Sequence, residues 1–245
     1  MIPQTPVKNA LHVGLMVPIN NTTMERELLA WLPAGSSCAT QRIPRGSGLL
    51  TGETLPAYTA SALSLAQAFD DPGIDIVAYG CTAAGFISGP AGDAALAAQI
   101  ATVSGKRVVT TARSMVLALQ EIGAKRIALV TPYLDAVNTQ LRAFLAHGDI
   151  AVQRFNSFYA QNTDELGSIT ALQVAQLARA TMADDCDALF IGCSQLPTRD
   201  ILDDLEREFG RPARSSIQVT AHFVQRCDPQ ERNPERAQRI PGSRA

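Results

Sequence analysis

Two cysteines in this chain stand at the ends of segments that echo one another. In Ile74-Asp-Ile-Val-Ala-Tyr-Gly-Cys-Thr-Ala-Ala-Gly85 an acid precedes an apolar run that closes in Gly-Cys and a hydroxyl residue. Cys186-Asp-Ala-Leu-Phe-Ile-Gly-Cys-Ser-Gln-Leu-Pro197 repeats that order. Short apolar runs of this kind read as buried strands, so Cys81 and Cys193 fall at matching strand ends. A thiol just past a strand and near a helix start meets backbone N–H groups, here those of Thr82 to Gly85 and of Ser194. Such groups favour a thiolate or a substrate carboxylate. Two thiols across one cleft can divide labour, one as base or nucleophile and the other as acid. Their titrations would then belong to the pair.

The remaining candidates carry less. Cys38, Cys186 and Cys227 lack this context and read as small buried hydrophobes. Five scattered cysteines form no disulfide framework, and no Cys/His cluster has zinc spacing, so neither metal nor cofactor is expected. His12, His147 and His222 fit neither a metal set nor a Ser-His-Asp triad. Arg42 and Arg45 read first as solvated loop charges, with an anionic substrate as the sharper alternative. A net charge of −2 gives no general attraction to nucleic acid or anionic membrane. No stretch approaches the ~20 apolar residues of a membrane span, and the first residues lack signal-peptide character. The expectation is a cytoplasmic protein acting on a small molecule, with a homo-oligomer as the common default.

The elements that must hold the two thiols alternate in type. Leu11–Pro18 reads as a buried strand, and Asn20–Thr23 with Glu25 and Glu27 opens a helix at Met24–Trp31. A strand at Ser37–Ile43 leads into Pro44–Gly52, whose glycine spacing is not a dinucleotide fingerprint; it is either a mobile lid or a plain surface loop. A helix at Thr54–Phe69, the first cysteine strand, a helix at Ala91–Val103, a strand at Lys106–Thr110 and a helix at Ala112–Ile122 follow. The pattern restarts at Lys125–Tyr133. It continues with a helix (Asp135–Ala146), a strand (Ile150–Phe155), a loop (Asn156–Asp164), a helix (Thr170–Met182), the second cysteine strand and a helix (Arg199–Phe209). Pro18 to Pro132 is an offset of 114 residues and Cys81 to Cys193 one of 112, two landmarks that argue for an internal duplication. The fold class is therefore α/β: two pseudo-symmetric Rossmann-like domains, each a mostly parallel sheet flanked by helices, with the site in the interdomain cleft. Residues 1–112 with 213–225 form the first domain, a final strand and helix crossing back to it. Residues 113–212 form the second, and 226–245 are expected to be a charged, disordered tail.

Asn21-Thr-Thr-Met-Glu25, Gly80-Cys-Thr82, Thr131-Pro-Tyr133 and Gly192-Cys-Ser194 resemble the aspartate/glutamate/hydantoin racemase superfamily. Within it, Val17–Glu25 together with Thr131-Pro-Tyr133 is most similar to the maleate cis-trans isomerases, a likeness spanning roughly residues 11 to 225. That resemblance implies a residue matching Cys81 that adds to a double-bond carbon of maleate, with bond rotation giving fumarate. It implies a second cysteine, matching Cys193, that supplies and recovers a proton, and carboxylates held by backbone N–H groups and side chains matching Asn21, Tyr133 and Asn162. Thr82 and Ser194 read as helix caps and site donors at once. The turn departs from the isomerases at Ile19-Asn20, where they usually carry small hydroxyl residues. Arylmalonate decarboxylases share Tyr133-Leu-Asp-Ala-Val-Asn138 but keep only the second cysteine, so Cys81 argues against that activity.

Three further readings stand beside isomerisation of maleate or a close cis-dicarboxylate. A racemase or epimerase of an amino acid or hydantoin would use the thiols as opposed bases, and an arylmalonate-type decarboxylase is disfavoured by Cys81. A two-lobed ligand-binding protein gives no reason for paired cysteines at equivalent strand ends.

Overall fold

The structure, a computed structural model, describes residues 10–45 and 48–226. Residues 46, 47 and 227–245, and with them Cys227, the expected tail and part of the glycine-rich loop, lie outside the described residues.

The first half runs β1 (His12–Pro18), α1 (Met24–Trp31), β2 (Ser37–Ile43), α2 (Leu55–Ala66), β3 (Ile76–Tyr79), α3 (Thr82–Ser104), β4 (Val108–Thr110) and α4 (Thr111–Glu121). The second runs β5 (Arg126–Thr131), α5 (Asp135–Ala146), β6 (Ala151–Ser157), α6 (Thr163–Ser168), α7 (Ala171–Thr181), β7 (Ala188–Ile191), α8 (Leu202–Phe209), β8 (Ala213–Ser215) and α9 (Ser216–Arg226). Each half builds a four-stranded parallel sheet, in the orders β2-β1-β3-β4 and β6-β5-β7-β8. The central strands β3 and β7 are buried at every position. That is why they read as unbroken apolar runs rather than alternating ones.

The repeated acid before each cysteine strand has a structural use. Asp75 accepts from the His12 N–H at 2.7 Å. Asp187 accepts from the Lys125 and Arg126 N–H groups at 3.0 and 2.8 Å. Each carboxylate thus sets the start of the cysteine strand against the start of the lobe's first strand. Gly80 allows the close approach at the other end, since a Cβ there would lie 2.9 Å from the Met16 carbonyl oxygen and 2.3 Å from the Met24 sulfur.

Three sequence expectations are corrected. The helix after Cys81 begins at Thr82 rather than near Ala91. Gly89-Pro90, just ahead of the expected start, forms a kink inside the helix, with Gly89 at φ 69°, where proline removes a helical donor. The last strand does not return to the first domain: β8 pairs with β7, and only α9 crosses back. Its Ile217, Ala221 and Val224 pack with β1 and α1. In exchange α4, leaving the first sheet, sends Ala112, Met115, Ala118 and Leu119 into the core of the second. The third correction is a helix, α6, that the sequence left partly in a loop.

Candidate active site

In both sheets the chain turns one way from the first strand to reach its edge neighbour and then crosses to the other side. The switch point therefore lies between β1 and β3, and between β5 and β7, where ligands of open α/β sheets bind beyond the carboxyl ends of the strands. Asn20-Asn21 follows β1, Cys81 follows β3, Tyr133 follows β5 and Cys193 follows β7. All line one small cavity of about 40 Å³ between the lobes. Thr82, Ala83, Arg45, Pro18, Ser194, Gln195, Thr163 and Leu166 complete its wall. A larger groove of about 350 Å³, at Trp31, Glu121, Arg214 and His222, shares no residue with it.

Each thiol is equipped in the same way. Cys81 is the N-cap of α3, buried to 4% exposure, and faces the Ala84 N–H and the Tyr58 hydroxyl. Cys193 is 6% exposed; the Gln195 N–H points at its sulfur from 3.4 Å, and the Tyr133 hydroxyl lies beside it. Neither tyrosine hydroxyl has a partner of full hydrogen-bond geometry, nor has the Thr82 hydroxyl that Tyr133 also approaches. Burial pushes both thiols above their ordinary range. The Tyr58 hydroxyl, the Ala84 N–H and the Arg45 charge pull Cys81 back down. Tyr133 and the Gln195 N–H do so for Cys193, while the neighbouring Cys81 raises it further. Both tyrosines are held far above the usual phenol range by burial, so they stand as donors.

A polar seam across the cleft fixes the two halves against each other. The Asn21 amide donates to the Ser194 carbonyl at 3.1 Å and hydroxyl at 3.2 Å, and its Oδ1 accepts from the Thr23 and Met24 N–H groups. The Ser194 hydroxyl donates to the Gly80 carbonyl at 2.6 Å. Gln195 exchanges hydrogen bonds with Thr22 and Thr23. Asn21 and Ser194 therefore line the cavity with their polar groups already committed to holding it. Beneath them Glu27, on α1, accepts from the Thr198 and Arg199 N–H groups of the other lobe.

Of the residues marked in the sequence, Cys81, Cys193, Asn21, Thr82, Tyr133 and Ser194 meet at this cavity. Asn162 does not line it. Its Oδ1 caps α6 by accepting from the Asp164 and Glu165 N–H groups, and its neighbours Thr163 and Leu166 face the cavity instead. Sequence reasoning did not mark Tyr58 or Gln195, and it read Arg45 first as a solvated loop charge, whereas Arg45 lines the cavity. Tyr58 sits in an Ala/Leu-rich helix where an aromatic reads as core, and no local signal separates it. Cys38 and Cys186 lie apart from the site. Among the described residues no group of His, Cys, Asp and Glu is arranged to hold a metal, and no helix is long and apolar enough to cross a membrane.

The fold and site define a two-lobed α/β protein with one buried thiol from each lobe at a shared switch-point cavity. The family model described as arylmalonate decarboxylase matches residues 43–238, and the chain belongs to that family. Maleate isomerase of Nocardia farcinica is 28% identical over 222 residues, 87% of this chain and 88% of that protein. Arylmalonate decarboxylase of Bordetella bronchiseptica is 30% identical over 173 residues, 70% and 72% of the two. A solved structure of a Nocardia farcinica maleate cis-trans isomerase variant with a covalently bound succinylcysteine intermediate superposes with a TM-score of 0.79 at 27% identity. It covers 89% of this chain and 92% of its own.

Proposed function

We propose that this isomerase-like enzyme converts maleate, or a close cis-dicarboxylate, to its trans isomer without a cofactor. One observation carries the reading: two buried thiols, each with a tyrosine hydroxyl and a backbone N–H, face a single small cavity. The Cys81 thiolate adds to one alkene carbon, forming a C–S bond as the π bond breaks. The electron pair moves to the adjacent carbon and into its carboxylate. Oriented donors at the Thr82 and Ala83 backbone and at the Tyr133 hydroxyl suit that developing charge. The Cys193 thiol gives its proton to the carbanion, the remaining single bond rotates, and Cys193 takes a proton back. The returning electron pair re-forms the double bond as trans and expels the Cys81 thiolate, leaving both thiols as they began. A Cys193 thiol raised by burial suits a group that must start protonated.

The test is incubation with maleate followed by proton NMR, with Cys81→Ser and Cys193→Ser alongside. Fumarate formation lost in both variants, and a Cys81 adduct heavier by one maleic acid in C193S, is the expected result. Wild-type-like turnover by C81S overturns the mechanism.

The near-equal equipment of the two thiols also favours a second reading, a two-base racemase or epimerase of an amino acid or hydantoin. It predicts solvent deuterium at Cα of such a substrate, without fumarate from maleate. Arylmalonate decarboxylation fits less well, since the decarboxylases keep only the cysteine that matches Cys193, whereas this cavity presents Cys81 as well.

A further inference from the structure

Among the described residues Arg45 is the one charged side chain lining the thiol cavity. Its neighbour in sequence, Arg42, is committed elsewhere: it donates to the Asn21 carbonyl at 2.7 Å and pairs with Glu25 at 3.5 Å. Arg45 makes a different arrangement. Its Nε donates to the Asn20 Oδ1 at 2.9 Å, which aims the guanidinium while leaving both terminal nitrogens without a protein acceptor among the described residues. Within those residues no carboxylate lies in ion-pair range of it. Its charge is felt at Cys81 and at Tyr58. Asn20, which holds it, belongs to the pair of turn positions where this chain departs from the isomerase pattern.

A guanidinium fixed through Nε and open at its other end is shaped for bidentate pairing with a carboxylate. The Asn21 side chain and the Ser194 hydroxyl are engaged across the seam, so the cationic group available to a second carboxylate, beside the cavity's backbone and hydroxyl donors, is Arg45. We propose that Arg45, positioned by Asn20, is the specificity-determining residue that reads the second carboxylate of the substrate. The enzyme thereby selects a dianion over the corresponding monoanion. This rests on the isomerase reading of the site and names the substrate class within it.

Two measurements test it. The first compares kcat/KM for maleate and for its half-amide, maleamate, in wild type, Arg45→Gln, Arg45→Lys and Asn20→Ala. Arg45→Gln is expected to lower kcat/KM for maleate about 10- to 100-fold, mainly through KM, the range of a charge-assisted pair. Maleamate should change less than about threefold, and lysine should restore part of the loss. Because weaker support of the Cys81 thiolate slows both substrates alike, an equal loss on the two assigns Arg45 to tuning the thiol and overturns the proposal.

The second measurement is independent of turnover: the rate at which iodoacetamide labels Cys81 with and without succinate. Protection by succinate that is lost in Arg45→Gln supports the proposal even if wild type proves inert toward maleate, in which case only the isomerase reading falls. Equal protection in wild type and Arg45→Gln overturns it, and so does no protection in either.

Discussion

Replacing Glu27 with glutamine tests whether the two lobes are locked at the point that carries Cys193. Glu27 is 4% exposed. It reaches from α1 to accept the Thr198 N–H at 2.9 Å, the Arg199 N–H at 3.1 Å and the Thr198 hydroxyl at 3.1 Å. Glutamine keeps the length and, with its oxygen in place of Oε2, the Arg199 contact, but turns an amide donor toward the Thr198 N–H in place of Oε1. The Thr198 hydroxyl already contacts the Ser215 hydroxyl at 2.9 Å and can turn to it, so one buried N–H is left unmade. Leaving that donor unmade costs about 2–3 kcal/mol. For a domain of this size that is roughly 4–12 °C in Tm. Burial raises the Glu27 carboxyl above its ordinary range, against the opposing pull of its hydrogen bonds. The folded state therefore holds that proton more tightly than the unfolded chain does. Its contribution to stability is present at low pH and is lost as pH rises through the raised range, so the margin of wild type over E27Q narrows on going up. Thermal scans by circular dichroism between mildly acidic and neutral pH read both effects, and kcat should fall as the Cys193 loop loosens. A Tm within about 2 °C of wild type, with unchanged turnover, refutes the argument and leaves the Asn21–Ser194 and Gln195 seam as a sufficient lock.

Two shorter predictions follow from the same geometry. Tyr58→Phe removes the hydroxyl that lowers the Cys81 thiol, so at pH near 8 iodoacetamide labelling of Cys81 should slow about 3- to 10-fold, with wild-type rates regained only at higher pH; an unchanged pH profile removes Tyr58 from the site. Asp93 is buried beside the Thr110 hydroxyl at 2.6 Å, and burial lifts its carboxyl from 3.8 to about 6. Stability linked to it is therefore present below the ordinary aspartate range and falls by at most about 3 kcal/mol as pH rises through about 6. Urea denaturation should show that fall flattened in Asp93→Asn, and identical pH slopes would contradict it.

Much of the architecture was readable because it rests on local pattern. The strand pairs β1/β5 and β3/β7 are short apolar runs with fixed endings, and a duplication preserves such endings at a constant offset. Helix starts were harder: small residues at Thr82–Gly85 carry no strong helical signal, while Gly89-Pro90 carries a strong but misleading one. Asn162 was placed by position in a loop, and a cap on α6 occupies it instead.

By itself the chain determined the α/β alternation, the internal repeat, and the two thiols at equivalent strand ends, because periodicity and turn chemistry act over a few neighbouring residues. Only the tertiary structure decided that β8 stays with the second sheet while α9 alone crosses back, and that Asn21 and Ser194 spend their side-chain hydrogen bonds on the seam. It also decided that Tyr58 and Arg45 stand at Cys81. Those outcomes turn on contacts between residues far apart in sequence, whose side chains acquire a common environment, and hence a chemistry, once the two sheets close on one cavity.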